Sequence, residues 1–331
     1  MRDRPAGVED RDLRLVLAEG WRIDAAALRY AAVGAGSYHW AVRDVAGRRW
    51  FVTADDLDDK AWLGDNRPAV MAGLRSRMDT ALALRRDAGL EFVVAPVPGC
   101  GGATVRPVGP RHAVAVFPFL TGTPGRWGEV LPAAERAVLV DMLAALHQSA
   151  PAGAQMAPIG LARREELEAA LRDLGQPWRA GPFAEPARAL LGGVEAQVRS
   201  LLEVFERQAG RLRTSEFVIT HGEPHPGNVM RVGRRRMLID WDTVGLGPPE
   251  RDLWMVVSQA GESRRYADLT GREVDQARLA LYRLRWALDD ICAFVGQLRT
   301  EHDHTADSEH AWMALKQTVA HAAMLRSGFP E

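Results

Sequence analysis

The chain has 331 residues, of which 47% are hydrophobic and 26% charged, a globular balance at a length that suggests about two domains. A formal net charge of -1 excludes a strong overall attraction to nucleic acid or to an anionic membrane, so we expect neither partner. No run of about 18 apolar residues occurs, and residues 1–12 lack the apolar segment of a signal peptide. The two cysteines, Cys100 and Cys292, favour reduced thiols, and we expect a cytoplasmic protein that is a monomer or a weak homodimer.

The N-terminal part of the sequence is predicted to be rich in short strands. Short apolar runs between turn formers indicate strands, and apolar residues at helical spacing indicate helices. The strands predicted here are 28–33, 40–45, 50–52, 91–97 and 113–117, and the helices are 9–20 and 68–88. Residues 118–126 contain two prolines among glycines and threonines, which is typical of a hinge.

The rest of the sequence is predicted to be mainly helical, with a small β-hairpin inserted. Helices are predicted at 132–148, 162–174, 186–210, 250–260, 272–297 and 308–326, and strands at 217–220, 229–230 and 237–239. Strands first and helices afterwards form an α+β pattern with segregated elements. We therefore expect an N-terminal lobe at 1–117, a hinge at 118–126 and a helical C-terminal lobe at 127–331.

The stretch with the clearest chemical meaning reads T-H-G-E-P-H-P-G-N at 220–228, followed by L-I-D-W-D at 238–242. Phosphoryl transfer needs a carboxylate that orients the attacking hydroxyl, and an asparagine and an aspartate that hold Mg²⁺ against the phosphate oxygens. Protein kinases carry such residues at the spacing that Glu223, Asn228 and Asp240 show here. Asp240 alone would be explained equally well as a turn residue, but the combined pattern predicts Glu223 as the catalytic carboxylate and Asn228 and Asp240 as catalytic Mg²⁺ ligands.

These two motifs resemble the signature of the aminoglycoside phosphotransferase and choline-kinase-like family, H-G-D-x-H-x-G-N followed by I-D-W-[DE]. The residues that match are His221, Gly222, His225, Gly227, Asn228, Asp240, Trp241 and Asp242. The segment 249–253, P-E-R-D-L, resembles the P-x-x-D-L segment of the same family.

The resemblance implies a two-lobed, protein-kinase-like fold with a small β-rich nucleotide-binding lobe and a larger helical lobe that carries the catalytic loop and the substrate site. It also implies ATP or GTP as the phosphoryl donor and Mg²⁺ as the cofactor. The layout is similar to that of spectinomycin-type phosphotransferases. It therefore implies a hydroxylated, antibiotic-like acceptor, such as an aminocyclitol, an aminoglycoside or a nucleoside antibiotic, and a role in resistance.

Two positions depart from the family pattern. Glu223 stands where the family has aspartate, so the carboxylate reaches about 1.5 Å further. Thr53 stands on the third strand where the family carries a lysine to the nucleotide phosphates, and the helix at 68–88 lacks a glutamate to pair with such a lysine. A different cation must then meet the phosphates, and Lys60, Arg75 and Arg77 are the alternatives that the sequence leaves open.

Several further residues are candidates for binding. For the nucleotide they are the loop residues Gly34, Gly36 and Ser37, together with Lys60, Phe117 and Phe119; for the acceptor they are Glu223, Asp242, Asp289 and Asp290. A plain two-glycine turn explains the loop about as well, and a packed connection explains the two phenylalanines about as well. The pair at 289–290 is acidic in an otherwise apolar helix, which favours a ligand-binding role.

Other features have ordinary explanations. His302, His304 and His310 fit a solvated loop better than a metal site, and the arginines at 234–236 fit a charged turn. Two further functions remain open besides an active antibiotic kinase. One is a catalytically impaired, pseudokinase-like nucleotide-binding protein, and the other is a metabolic kinase for a choline- or homoserine-type alcohol, for which tryptophans could form an aromatic cage.

Overall fold

The computed structural model describes residues 1–34 and 36–325, so Ala35 of the predicted glycine loop and residue 326 of the last predicted helix lie outside the described residues. The chain folds as two compact units. The first is built from Asp3–Ala157 and Thr214–Val274, and the second from Pro158–Arg213 and residues 275–325. A sheet-containing unit and a helical unit confirm the α+β class.

The chain contains ten strands and ten α-helices within the described residues. The strands are β1 Ala25–Ala31, β2 Tyr38–Asp44, β3 Arg49–Asp56, β4 Val105–Val108, β5 His112–Pro118, β6 Thr123–Pro124, β7 Val218–Thr220, β8 Val229–Val232, β9 Arg235–Leu238 and β10 Gly245–Gly247. The helices are α1 Asp10–Trp21, α2 Arg67–Arg86, α3 Ala133–His147, α4 Arg164–Arg172, α5 Ala184–Gly193, α6 Glu195–Ala209, α7 Glu250–Leu253, α8 Ala260–Thr270, α9 Gln276–Arg299 and α10 Ala306–Met324.

A five-stranded antiparallel sheet in the order β1-β2-β3-β5-β4 forms the N-terminal part of the first unit. Successive side chains of a strand point to opposite faces. On one face, Val52 of β3 packs with Leu13 and Leu17 of α1, and on the other Ala115 of β5 packs with Leu74 of α2. The sheet is therefore covered by a helix on each face, and β5 is buried on both sides.

Two small sheets complete the first unit and carry the motifs. In one, β8 pairs with β6 and with β9, and in the other β10 pairs with β7. The β8–β9 hairpin aligns Val229 with Leu238, so the end of the first motif lies beside the start of the second. The hairpin thus brings the motif at 220–228 and the motif at 238–242 to the same end of one small sheet.

The second unit consists of helices. Its core is centred on α9, where Leu284, Leu288 and Ile291 are fully buried. Leu167 of α4 and Leu315 of α10 belong to the same cluster. Burial of this apolar surface is the main term that stabilises the unit.

The predicted strand at 91–97 is wrong, because this segment forms only an isolated bridge between Val93 and Leu238. Its backbone still bonds to two neighbours, since Val94 N donates to Leu238 O at 3.0 Å and Val97 N donates to Val116 O at 2.7 Å. Pro96 has no N–H group and interrupts the ladder. The sequence prediction also missed β4.

Two of the helix predictions need correction. The helix expected at 186–210 is split into α5 and α6 at Val194, directly after Gly192 and Gly193, which are weak helix formers. The helix expected at 250–260 ends at Leu253, and α8 was not predicted.

The described part of the chain contains no helix that is both long enough and apolar enough to cross a membrane. Both cysteines are free thiols, as expected.

Candidate active site

The loop between β7 and β8 carries Glu223 and Asn228, and a hydrogen bond between these two residues spans the loop. Asn228 is buried, and its Nδ2 donates a hydrogen bond of 2.9 Å to the backbone oxygen of Glu223. A short 3₁₀ turn at Pro226–Asn228 ends the loop, and Ile239 N donates to Asn228 O at 3.0 Å. Because the Nδ2 donor is used within the loop, Oδ1 is the atom that Asn228 can offer to a cation.

His221 connects the loop to the second motif. Its ring is buried, Nε2 donates to Ile239 O at 2.9 Å, and Nδ1 accepts from Glu223 N at 3.2 Å. Burial lowers the pKa of His221, which agrees with a neutral ring that has one donor and one acceptor nitrogen. The motif histidine is thus a positioning residue that fixes the backbone on both sides of the site.

Asp252 anchors the start of the loop. Its two carboxylate oxygens accept hydrogen bonds from His221 N at 2.8 Å and from Gly222 N at 2.6 Å, and His147 Nε2 lies 3.1 Å away. Burial raises the pKa of Asp252, but the bond to His147 and nearby positive charges outweigh burial and keep this pKa below its usual value. The sequence singled out Asp252 through its segment, whereas it gave no signal for His147 or for Tyr266, whose hydroxyl lies 2.8 Å from His147 Nδ1.

Gly222 is required by its backbone and by its neighbour. Its φ is +103°, and a Cβ atom there would lie 2.4 Å from Nη2 of Arg251. The guanidinium of Arg251 is itself held by Thr220 Oγ1 at 2.7 Å and by Thr243 O at 2.9 Å. The glycine of the motif therefore lets a buried arginine pack directly against the loop.

Asp240 follows β9 with a left-handed backbone, φ +68°, which is uncommon for a residue other than glycine. Burial raises the pKa of Asp240 well above its usual value, and the negative charges of Asp242 and Glu223 raise it further. Asp240 as a whole residue is exposed, so the charges of the two neighbouring carboxylates explain its raised pKa better than burial does. Asp240 is therefore under the influence of two further negative charges, those of Asp242 and Glu223.

Of the three alternative phosphate-binding cations, the structure brings Lys60 to the motifs. Its side chain is 1% exposed, and Nζ lies 2.5 Å from a carboxylate oxygen of Asp242 and 3.0 Å from Asp55. Arg77 is used elsewhere, because it donates to the backbone oxygens of Gln155 and Met156. The third alternative, Arg75, is exposed on α2.

The predicted nucleotide-binding residues have different environments. Gly34 and Gly36 have φ values of +69° and +82°, which glycine adopts at little cost. The hydroxyl of Ser37 donates to Asp55 Oδ1 at 2.5 Å and lies 3.4 Å from Lys60 Nζ. The glycine loop and the lysine are thus joined through one serine.

The two hinge phenylalanines are both engaged. Phe117 is buried in the core beneath α2, and the guanidinium of Arg49 lies 3.6 Å from the ring centre of Phe119. Packing accounts for Phe117 in this structure, whereas contact of either ring with a purine stays a prediction.

The acidic pair belongs to the second unit. Asp289 forms an ion pair with Arg285 at 3.4 Å, and Asp290 accepts from Thr318 Oγ1 at 3.4 Å. Burial and the charge of Asp289 raise the pKa of Asp290 to about 7. Their assignment to acceptor binding stays a prediction.

The other charged features are structural. Within residues 1–34 and 36–325 no group of three metal-binding side chains occurs, and His302 Nε2 accepts from Phe183 N at 3.2 Å. Among the arginines of the hairpin, Arg236 pairs with Glu135 at 3.4 Å, and the neighbouring Arg231 pairs with the same glutamate and with Glu129. The two ion pairs with Glu135 connect the hairpin to α3.

A five-stranded antiparallel sheet with a glycine loop, followed by a loop and hairpin carrying Glu223, Asn228 and Asp240, defines a protein-kinase-like phosphotransferase. The sequence profile of the phosphotransferase enzyme family (APH) matches residues 32–292, and the chain belongs to this family. None of the curated proteins compared with the chain matches it.

Several solved structures are similar over nearly the whole chain. Spectinomycin phosphotransferase APH(9)-Ia, in complex with ADP and spectinomycin, is 16% identical with a TM-score of 0.73 and covers 96% of this chain and 98% of its own. The amicoumacin kinase hAmiN, in complex with AMP-PNP and Ca²⁺, is 15% identical with a TM-score of 0.56 and coverages of 96% and 95%. The macrolide 2'-phosphotransferase MphH of Brachybacterium faecium is 18% identical with a TM-score of 0.51 and coverages of 98% and 100%. These likenesses show the kinase-like fold, and the match to the family profile confirms the resemblance that the motifs indicated.

Proposed function

We propose that this protein is a kinase that transfers the γ-phosphoryl group of ATP or GTP to a hydroxyl of an antibiotic-like small molecule, and that it acts in the cytoplasm to confer resistance. The observation that carries the proposal is the arrangement of Glu223, Asn228 and Asp240. The loop is joined to the end of the hairpin by hydrogen bonds of Ile239 with His221 Nε2 and with the backbone oxygen of Asn228, and the charge of Glu223 acts on Asp240. Amide and carboxylate oxygen groups are what a metal–phosphate complex needs.

The donor set fits Mg²⁺. Asn228 and Asp240 would hold the ion, since one offers an amide oxygen and the other a carboxylate in a region crowded with negative charge. When bound, Mg²⁺ would offset the charge of the phosphate oxygens. The use of a nucleotide and a divalent ion by this chain is supported by the amicoumacin kinase, whose structure contains AMP-PNP and Ca²⁺.

Glu223 would orient the hydroxyl of the acceptor and accept its proton. Phosphoryl transfer passes through a loose transition state, which depends on positioning more than on the strength of the base. The backbone of Glu223 is fixed at both ends, because its N–H donates to His221 and its carbonyl accepts from Asn228. A glutamate on a backbone held in this way can replace the family's aspartate.

The acceptor is proposed to be a hydroxylated antibiotic of the aminocyclitol, aminoglycoside or nucleoside type. The similar structures include enzymes described as acting on spectinomycin and macrolides. Asp242, Asp289 and Asp290 are the predicted acceptor contacts besides Glu223. We expect a monomer or weak homodimer without nucleic-acid or membrane partners.

A thermal-shift titration followed by an acceptor panel tests the proposal. Mg·ATP and Mg·GTP are each expected to raise the unfolding temperature if they bind, because a ligand that binds the native state stabilises it. Hydroxylated antibiotics are then assayed for acceptor-dependent nucleotide consumption. Stabilisation without turnover on any acceptor would favour the pseudokinase alternative, and turnover on choline or homoserine alone would favour a metabolic kinase.

A further inference from the structure

The position that the family resemblance assigns to a phosphate-binding lysine has no charge in this chain. Thr53 occupies it in the middle of β3, where it pairs with His39 on β2 and with Ala115 on β5. Its hydroxyl is buried and has no hydrogen-bond partner among the described residues. Threonine at this position therefore cannot bind phosphate by charge, and its side chain leaves a polar group unsatisfied.

Asp55 lies two residues further along β3, on the same face as Thr53. The strand ends at Asp56, and the chain then turns so that the side chain of Lys60 returns to this face. Its Nζ lies 3.0 Å from Asp55 Oδ1, and the hydroxyl of Ser37, at the end of the glycine loop, contacts both side chains. The ammonium group of Lys60 thus reaches the face from which a lysine at 53 would extend.

The environment of Lys60 keeps it charged. Burial lowers the pKa of Lys60, but the carboxylates of Asp242 and Asp55 outweigh burial and raise this pKa above its usual value. A buried lysine that is held by two carboxylates is not a solvated surface charge. It is a fixed cation between the glycine loop and the second motif.

We propose that Lys60 is the cation that binds the phosphates of the donor nucleotide, and that Asp55 is the carboxylate that positions it. The lysine–carboxylate pair, which the family divides between the third strand and the following helix, is in this chain contained within residues 55–60. The contact with Asp242, at 2.5 Å, connects this pair to the hairpin that carries Asp240. The inference rests on the proposed function, since it assigns the phosphate contact of that same site.

Calorimetric titration with AMP, ADP and AMP-PNP, each with Mg²⁺, tests the assignment. For the wild type, affinity should rise along this series, because each added phosphate gains contact with a cation. Lys60→Met should reduce the ratio of the AMP and AMP-PNP dissociation constants by about 10- to 100-fold, the scale of one charge-assisted contact. Its affinity for AMP should stay close to that of the wild type.

Three further variants sharpen the measurement. Lys316→Met removes the other lysine of the chain, which lies in the second unit, and should leave the ratio unchanged. Thr53→Lys in the Lys60→Met background should restore part of the ratio, because it places an ammonium on the same face of β3. Lys60→Met combined with Asp55→Asn removes an unpaired buried carboxylate and replaces the single variant if the latter does not fold.

The outcomes separate this inference from the proposed function. If the wild type binds AMP-PNP more tightly than AMP and the Lys60 variants keep that ratio, Lys60 does not bind phosphate and only this inference fails. If the wild type binds none of the three nucleotides, the proposed function fails together with it. A smaller ratio of the AMP and AMP-PNP dissociation constants in Lys60→Met, partly restored by Thr53→Lys in the same background, supports both the inference and the proposed function.

Discussion

At the scale of single residues, the position of Glu223 is set by hydrogen bonds to its backbone, whereas its predicted role in the reaction belongs to its side chain. His221 and Asn228 both form hydrogen bonds with the backbone of Glu223. Substitution of the Glu223 side chain should therefore leave the loop in place. The difference between glutamate and the family's aspartate is then a difference of reach, which can be tested by substitution.

Glu223→Gln keeps the size of the side chain and removes its charge, so kcat should fall by about 10²-fold or more. Glu223→Asp shortens the reach by about 1.5 Å, and misplacement on that scale costs on the order of 10²-fold. Steady-state kinetics with one accepted acceptor measures both. A fully active glutamine variant would remove Glu223 from the mechanism, and an aspartate variant faster than the wild type would show that the glutamate records impaired chemistry.

Asp240→Asn tests the predicted metal ligand. Asparagine tolerates the left-handed backbone that Asp240 adopts, so the fold should be retained. Turnover should fall by about 10²-fold or more, because a carboxylate that would hold Mg²⁺ is lost. The kinetics should be accompanied by thermal unfolding of the same preparation. Wild-type turnover in a folded Asp240→Asn protein would contradict the assignment.

Asp252→Asn tests the anchor of the loop. The pKa of Asp252 is lowered in the folded protein, so its contribution to stability is present above the ordinary value of 3.8 and is lost as pH falls through the folded pKa. The variant should lose about 1.5–3 kcal/mol of unfolding free energy at neutral pH. Urea unfolding of both proteins between about pH 7 and pH 3 should show this difference becoming smaller with acidification. A difference that does not change with pH would exclude the charged carboxylate as its cause.

At the scale of elements, the site depends on how β7, β8 and β9 are connected. The turn after β7 requires Gly222, and the β8–β9 hairpin is tied to α3 by the ion pairs of Arg231 and Arg236 with Glu135. Each of these pairs is partly exposed and contributes modestly by itself. The close contact between Gly222 and Arg251 is the more demanding feature.

Gly222→Ala should destabilise the protein and slow turnover, because the new methyl group would meet the guanidinium of Arg251 at a strained φ. Strain of this kind costs about 1–3 kcal/mol. Gly233→Ala is a matched control, since Gly233 also has a positive φ, +58°, but no atom lies within 4 Å of the added carbon. Chemical unfolding of the two variants should show the larger loss for Gly222→Ala, and equal losses would exclude the contact with Arg251 as the cause.

Sequence reasoning predicted most elements because their patterns are local. The short apolar runs at 40–45 and 50–52 were sufficient to predict β2 and β3, and the apolar residues at helical spacing in 68–88 were sufficient to predict α2. The predictions failed where a proline or glycine interrupted an otherwise regular pattern, or where an element was too short to show a pattern. Pro96 interrupts an otherwise strand-like run, and the glycines before Val194 divide a helical pattern. Short strands such as β4 have too few residues to show a period.

At the scale of the whole molecule, the motif residues came from the sequence, whereas their supporting contacts did not. Glu223, Asn228 and Asp240 have a recognisable spacing. His147, which contacts the loop anchor Asp252, is 105 residues away from it in the sequence. Tyr266, which contacts His147, is 119 residues away from that histidine. No local sequence pattern marks either residue. The choice of Lys60 over two arginines likewise depended on a contact across 182 residues, between Lys60 and Asp242.

Transfer of a radiolabelled γ-phosphoryl group to a hydroxylated antibiotic is the measurement that tests the proposed activity most directly. The wild type should transfer label from Mg·ATP or Mg·GTP to the acceptor, and mass spectrometry should place the phosphate on an acceptor hydroxyl. Asp240→Asn should transfer almost none, and Lys316→Met should behave as the wild type. A wild-type protein that binds nucleotide but transfers label to no hydroxylated acceptor, or an Asp240→Asn protein that transfers label at the wild-type rate, would contradict the proposed mechanism.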